Sequence, residues 1–152
     1  MTDNLAISYQ IESIDRDALN NFRGCDFFLM TAMQGSARLS DGYMTIEVES
    51  CNLLELSYRL VYLCIMPMLY GTKESTLSEA INVASSLEGD ALRILIPQRG
   101  QVVEMTLSPL QALAEVGRFH AELLKALFAV DDRFRTDGRI RNCLSLASVQ
   151  LK

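Results

Sequence analysis

The sequence predicts an α+β fold: one antiparallel sheet with two main helices packed on one of its faces, in a single domain over residues 1–152. Three observations carry this. Strand-like alternation and helix-like periodicity occupy separate stretches, in the order strands, helix, strands, helix, and not a regular β-α repeat. Tyr43–Glu49 alternates cleanly, with Met44, Ile46 and Val48 pointing one way and Tyr43, Thr45, Glu47 and Glu49 the other, the pattern of a strand buried on one face only. The third observation is the best-specified unit in the chain: Ala91–Ile96, a turn over Pro97–Gly100, Val102–Leu107, and a helix that begins at Ser108.

In chain order, Ala6–Ile14 alternates through Ile7, Tyr9 and Ile11 and reads as a first strand. Asp15–Phe22 reads as a turn of helix with Asp15 as its cap. Asp26–Met33 is a strongly apolar strand. Gly35-Ser36 is a turn signal, followed by a short strand over Ser36–Leu39 and an Asp41-Gly42 hairpin turn into Tyr43–Glu49. Asn52 is placed to cap a helix over Leu53–Met66, ending near Pro67. Its apolar run invites a membrane reading, but a span needs about 20 apolar residues, and Glu55, Arg59, Pro67 and Gly71 cut this one short. A buried core helix is expected, and no membrane association.

Thr72–Ser78 reads as a polar connection. Glu79–Leu87 leans to strand through Ile81, Val83 and Ser85, and Gly89-Asp90 is a break. The last helix has Ser108 as N-cap, Pro109 at its first position and Gln111 completing a capping box. Leu110, Leu113, Val116, Gly117, His120, Leu123, Leu124, Leu127 and Phe128 share its apolar face. Gln111, Glu115, Arg118, Glu122 and Lys125 are expected on the solvated side. The helix should end near Asp131-Asp132, leaving 131–152 as a last strand or a docked tail.

At 152 residues, a domain can bury roughly two-thirds of its unfolded surface. With 49% hydrophobic and 22% charged residues the chain is an ordinary globular protein. The net charge of −5 is uneven: residues 1–72 carry nine acids against four bases, whereas 131–152 carry five bases against three acids. Nucleic-acid binding usually needs a basic stripe, and the short run Arg133, Arg135, Arg139, Arg141 is a solvated surface on this reading, so no nucleic-acid partner is expected. An acidic domain suits a basic protein partner, whose approach its field steers. Cys25, Cys51, Cys64 and Cys143 are scattered, and with one histidine there is no zinc spacing. No metal or cofactor is expected. The start has no basic region followed by an apolar core. Free cysteines without an export signal point to the reducing cytoplasm.

His120 is the sole histidine and lies on an apolar helix face, which is the place of a satisfied core histidine more than of a catalytic base. Cys51 sits at a strand–helix junction where a helix N-terminus could lower its pKa, yet unpaired cysteines are commonly small buried hydrophobes. The isolated glycines form no phosphate-binding loop. Non-enzymatic function is therefore expected. Glu47 and Glu49 could do acid/base work, form a solvated face or meet a partner. With Tyr43 beside them they give an aromatic anchor next to two acids, which fits an interface better than catalysis. Tyr43, Glu47 and Glu49 are the leading partner-binding candidates, with Asp15, Asp17 and Asp41 as lesser ones.

One resemblance adds to this. From Gly89 the chain shows a Gly-Asp break, the strand Leu92-Arg-Ile-Leu-Ile96, a turn, the strand Val102-Val-Glu-Met-Thr-Leu107, and a Ser-Pro-Leu start to a long helix with Phe119 and Leu123-Leu124. Upstream, Tyr43–Glu49 leads into the Leu53-Leu-Glu-Leu56 helix. This pattern resembles several bacterial immunity proteins, the antidotes of contact-dependent or polymorphic toxin systems. The likeness is one of pattern, matches no invariant motif and carries no functional residue over. It implies a cytoplasmic, non-enzymatic inhibitor that binds a cognate toxin domain, often a basic nuclease, and occludes its active or binding site. The alternative is a small-ligand-binding or adaptor domain, dimeric through exposed apolar surface.

Overall fold

A computed structural model describes residues 3–15, 32–78, 81–98 and 100–136. The elements are β1 (Ala6–Ile14), β2 (Met33–Ser40), β3 (Thr45–Asn52), α1 (Leu53–Tyr70), β4 (Thr72–Ser78), β5 (Ile81–Glu88), β6 (Ala91–Gln98), β7 (Gln101–Leu107), α2 (Pro109–Val130) and the short α3 (Arg133–Thr136). The fold is α+β and its strand pairs are antiparallel. Those strands form two sheets, however, and not the single one expected: β1-β2-β3 and β4-β5-β6-β7. The expected helical turn after Asp15, residues 26–31 of the expected second strand and the tail beyond Thr136 lie outside the described residues.

Helix α1 is the reason for the division. The chain passes from β3 straight into α1 and from α1 into β4, so a buried helix takes the place of a tight hairpin. Leu53, Leu54, Leu56, Leu60, Val61, Leu63 and Cys64 are buried, and the helix packs against β2, β3, β4, β5 and α2. A helix apolar nearly all round needs such cover on several sides. It is long and apolar enough to cross a membrane by length and composition, and here it is a core helix with over half of its length buried. It also runs past Pro67 to Tyr70 and stops at Gly71, whose φ of 87° is left-handed and whose N–H donates to the Pro67 carbonyl at 2.8 Å. The expected end at Pro67 was set by the missing proline N–H, a cost of about 3 kcal/mol inside a helix. Pro67 is itself buried, and the helix runs only three residues past it, through the exposed Met68, Leu69 and Tyr70.

Other corrections share a cause: neighbours in space replace local signals. Gly35 is not in a turn but inside β2. A Cβ there would lie 2.1 Å from the Gln10 carbonyl oxygen and 2.9 Å from Leu53 Cδ1, so the position is a close approach of β1 and α1. Thr72–Ser78 is no connection but the edge strand β4; its polar sequence is one that an edge tolerates. Asn52 has the extended backbone of an N-cap yet makes no capping bond; its side chain meets Gln34 and donates to Glu55 at 3.2 Å.

The capping box of α2 is also absent. Ser108 makes no side-chain cap bond, and Gln111 is engaged elsewhere. Its Oε1 accepts from the Leu5 N–H at 2.7 Å and its Nε2 donates to the Leu5 carbonyl at 2.9 Å. Two residues along, Glu115 accepts from the Ile7 N–H at 2.8 Å and Arg118 donates to the Ile7 carbonyl at 2.7 Å. Tyr9 OH then donates to Glu122 at 3.3 Å. Gln111, Glu115, Arg118 and Glu122, expected on a solvated face, instead run along the free edge of β1, while Lys125 is exposed as expected. The spacings match, since four helical residues rise about 6 Å and two strand residues about 6.7 Å. This turns the helix so that Ala112, Val116, Phe119, His120, Leu123 and Leu127 are buried, while Leu110, expected in the core, is 76% exposed. Two residues before Leu5, the Asp3 N–H donates to Thr106 at 2.9 Å and the Asp3 carbonyl accepts from Ser108, which joins the segment leading into β1 to the end of β7.

Candidate protein-binding face

The β1-β2-β3 sheet turns Ile7, Met33, Ala37, Leu39, Ile46 and Val48 to the core. By the period of two, the opposite face carries Ala6, Ser8 and Gln10 from β1, Ser36, Arg38 and Ser40 from β2, and Thr45, Glu47 and Glu49 from β3. Short side chains make its floor and long ones its walls. Between them runs an open groove of about 270 Å³, lined by Ser8, Tyr9, Gln10, Ser36, Ala37, Arg38, Glu47 and Glu49.

Two irregularities shape this face. On β3, Val48 pairs with Ala37 and Cys51 with Gly35, so Glu49 and Ser50 together oppose Ser36. The bulge lets Val48 and Cys51, three residues apart, both face the core, and it leaves Glu49 pointing out. Ser50 carries it in a left-handed conformation, φ 49°, which costs about 1 kcal/mol for a residue with a Cβ. On β1 a second bulge falls between Ile11 and Ser13, beside Gly35, and sets Glu12 at the surface.

The sequence candidates separate on this framework. Glu47 is directly opposite Arg38 and pairs with it at 2.8 Å. Glu49 has no ion-pair partner among the described residues. Tyr43 stands in the turn at one end of the face, 86% exposed. Asp41 is not presented to solvent: it is 8% exposed, and its carboxylate accepts the Tyr43 and Met44 N–H groups, each at 2.9 Å. An Asx-type turn explains this residue, and an aspartate before glycine is its sequence signal. Asp15 is exposed at the far end of β1, where its N–H donates to the Ala32 carbonyl at 2.7 Å, and so lies away from Tyr43. Asp17 lies outside the described residues.

Arg38 is the residue that sequence reasoning missed. Its signal was available: pairing Ser40 with Thr45 across the Asp41–Met44 turn places Arg38 against Glu47.

The two reactive residues weighed in the sequence are built into the core. Cys51 is buried, and its burial pushes the thiol up to about 11, against the lowering expected of a helix N-terminus. Cys64 is pushed up to about 12 by the same cause. His120 Nδ1 lies 2.9 Å from Ser57 Oγ, which itself donates to the Leu54 carbonyl at 2.7 Å. The hydroxyl proton is thus committed, so Ser57 accepts and the ring carries its proton on Nδ1. The Tyr58 ring meets the imidazole edge-on at 5.3 Å. This buried pair ties α1 to α2. Among the described residues no group of three or more His, Cys, Asp or Glu side chains could hold a metal ion.

Comparison with protein-family models, with curated protein sequences and with solved structures finds no match to this chain.

Proposed function

We propose that this chain is an immunity-type inhibitor that binds a cognate bacterial toxin domain through the open face of the β1-β2-β3 sheet. One observation carries the reading: a polar, exposed sheet face with Glu47 and Glu49 on its walls and an 86% exposed Tyr43 at its end. An exposed tyrosine beside carboxylates supplies an anchor and a field for a basic partner. The nine acids against four bases in residues 1–72 and the resemblance to immunity proteins point the same way. Neutralisation on this reading is occlusion with charge mimicry, the carboxylates taking positions that phosphates otherwise take. The protein acts in the cytoplasm, where thiols such as Cys51 and Cys64 stay reduced, and it performs no catalysis.

The test is genetic and kinetic. The gene immediately upstream should encode a large secreted protein with a small variable C-terminal domain. That domain, expressed alone, should arrest growth, and this chain should relieve the arrest. Reversing Glu47 and Glu49 to lysine should weaken the complex mainly by slowing association. A domain that arrests growth regardless of this chain overturns the inhibitor reading; unchanged association kinetics in the double reversal removes this face from it.

A second reading, a dimeric adaptor, is favoured by a separate patch. Met68, Leu69 and Tyr70 are exposed at the end of α1, next to Leu87, whose N–H donates to the Gly71 carbonyl at 3.2 Å. Sedimentation decides it: a dimer that Tyr70→Ser dissociates supports this reading, and a monomer across the micromolar range removes it.

A further inference from the structure

We propose that Arg38 sets the selectivity of the open sheet face, by holding Glu47 and leaving Glu49 as the carboxylate that receives a basic side chain of the protein partner. This rests on the protein-binding reading above. Among the described side chains of the face, Arg38 is the only cation, and it lies directly across from Glu47 at 2.8 Å. Both partners are well exposed, 64% and 50%. The pair is therefore weak enough for a guest to compete with, and strong enough that a guest at Glu47 must first displace Arg38.

Glu49 differs by geometry. The β3 bulge puts it opposite Ser36, where β2 offers a hydroxymethyl in place of a long cation. Ser36 and Ser8 are short, so the space over them is the groove itself. Its 270 Å³ is the room of about nine waters, which the stem of a lysine or arginine can displace while its charge reaches Glu49. Arg38 occupies Glu47, so Glu49 is the carboxylate of the face left without an ion pair among the described residues. The face thus discriminates by the position of the partner's charge as well as its sign. Two acids that alternate on one strand look equivalent in sequence; the cross-strand neighbour separates them.

A hexalysine peptide, titrated into the isotopically labelled full chain and followed by amide chemical shifts, tests this. Shifts should centre on Ser36, Ala37 and Glu49. Glu49→Gln should weaken binding about fivefold, and Glu47→Gln, an equal change in net charge, less than twofold, as befits removal of an already neutralised exposed charge. Arg38→Gln should tighten binding about threefold, and the exposed Lys125→Gln, with the same charge change at a distance, should not. Equal effects of Glu47→Gln and Glu49→Gln, or equal tightening by Arg38→Gln and Lys125→Gln, overturn the role of Arg38 while leaving the face intact. Shifts that centre elsewhere, or none at saturating peptide, overturn the face reading and this inference with it. All four positions are at the surface, and unchanged circular dichroism confirms that each variant folds.

Discussion

Ile7 in β1 has its N–H bound by Glu115 at 2.8 Å, with its carbonyl bound by Arg118 at 2.7 Å, so a helix supplies both bonds that a neighbouring strand normally would. An unpaired strand edge is a template for aggregation. The side chains of α2 close this one without adding a strand.

Glu115→Ala should therefore cost about 2 kcal/mol, because it strands the Ile7 amide at the sheet edge. Arg118→Ala should cost about 1 kcal/mol, since its side chain is 43% exposed and its pairs with Glu115 and Glu122 are weakened accordingly. Urea unfolding measures both, and amide exchange at Ile7 should quicken in Glu115→Ala. Losses below experimental error would show that packing of Phe119 and Tyr9 alone holds α2 in place.

The same carboxylate predicts an acid response. Burial works to raise the Glu115 pKa, but the hydrogen bonds from Arg118 and the Ile7 N–H outweigh it, and the net shift is downward from 4.5. A depressed folded pKa means stability that is complete above the unfolded value and lost as pH falls through the folded one. The wild-type chain should lose stability more steeply below pH 4.5 than Glu115→Gln, whose amide oxygen can still accept from Ile7. Parallel acid profiles of the two proteins would remove Glu115 from the account.

Gly35→Ala should be among the most damaging single-methyl changes, at about 2–3 kcal/mol. The new methyl would meet the Gln10 backbone carbonyl at 2.1 Å, and a backbone atom cannot swing aside. The same change at Gly117, where a Cβ meets nothing within 4 Å, should be neutral or mildly stabilising, by up to about 1 kcal/mol. Thermal melts of the pair give the comparison; similar losses at both would refute the close approach at Gly35.

Ser57→Ala should cost about 1–2 kcal/mol by removing a fully buried hydroxyl that bonds both His120 and Leu54. The imidazole nitrogen resonances should report the altered Nδ1 environment directly. A variant as stable as the parent, with an unchanged histidine spectrum, would contradict the pairing.

Much of the fold was legible because its signals are local. Ala6–Ile14 and Ile81–Glu88 alternate, Asp41-Gly42 turns and Pro109 opens a helix, each by chemistry within a few residues. What was illegible depends on distant neighbours. Gln111 fits a capping box by spacing, and only the approach of Leu5, more than a hundred residues away, gives its amide a better partner. Thr72–Ser78 lacks an apolar stripe because an edge strand needs none. At the candidate face, alternation revealed Glu47 and Glu49, but the register that separates them comes from β2. Asp41 counts by charge among the partner-binding candidates, but the turn that Asp41-Gly42 signals consumes its carboxylate.

The bonds from β1 to α2 also set an order of events during synthesis. The first strand leaves the ribosome early, yet Leu5 finds its partner 106 residues later and Ile7 finds its own 108 residues later. At about 5–20 residues per second, the nascent chain carries a naked strand edge for roughly 5–20 s before α2 arrives to cover it. Codon pace and early chaperone contact over that interval should govern yield more than the finished protein's stability does, and β1 is completed only once α2 has been made.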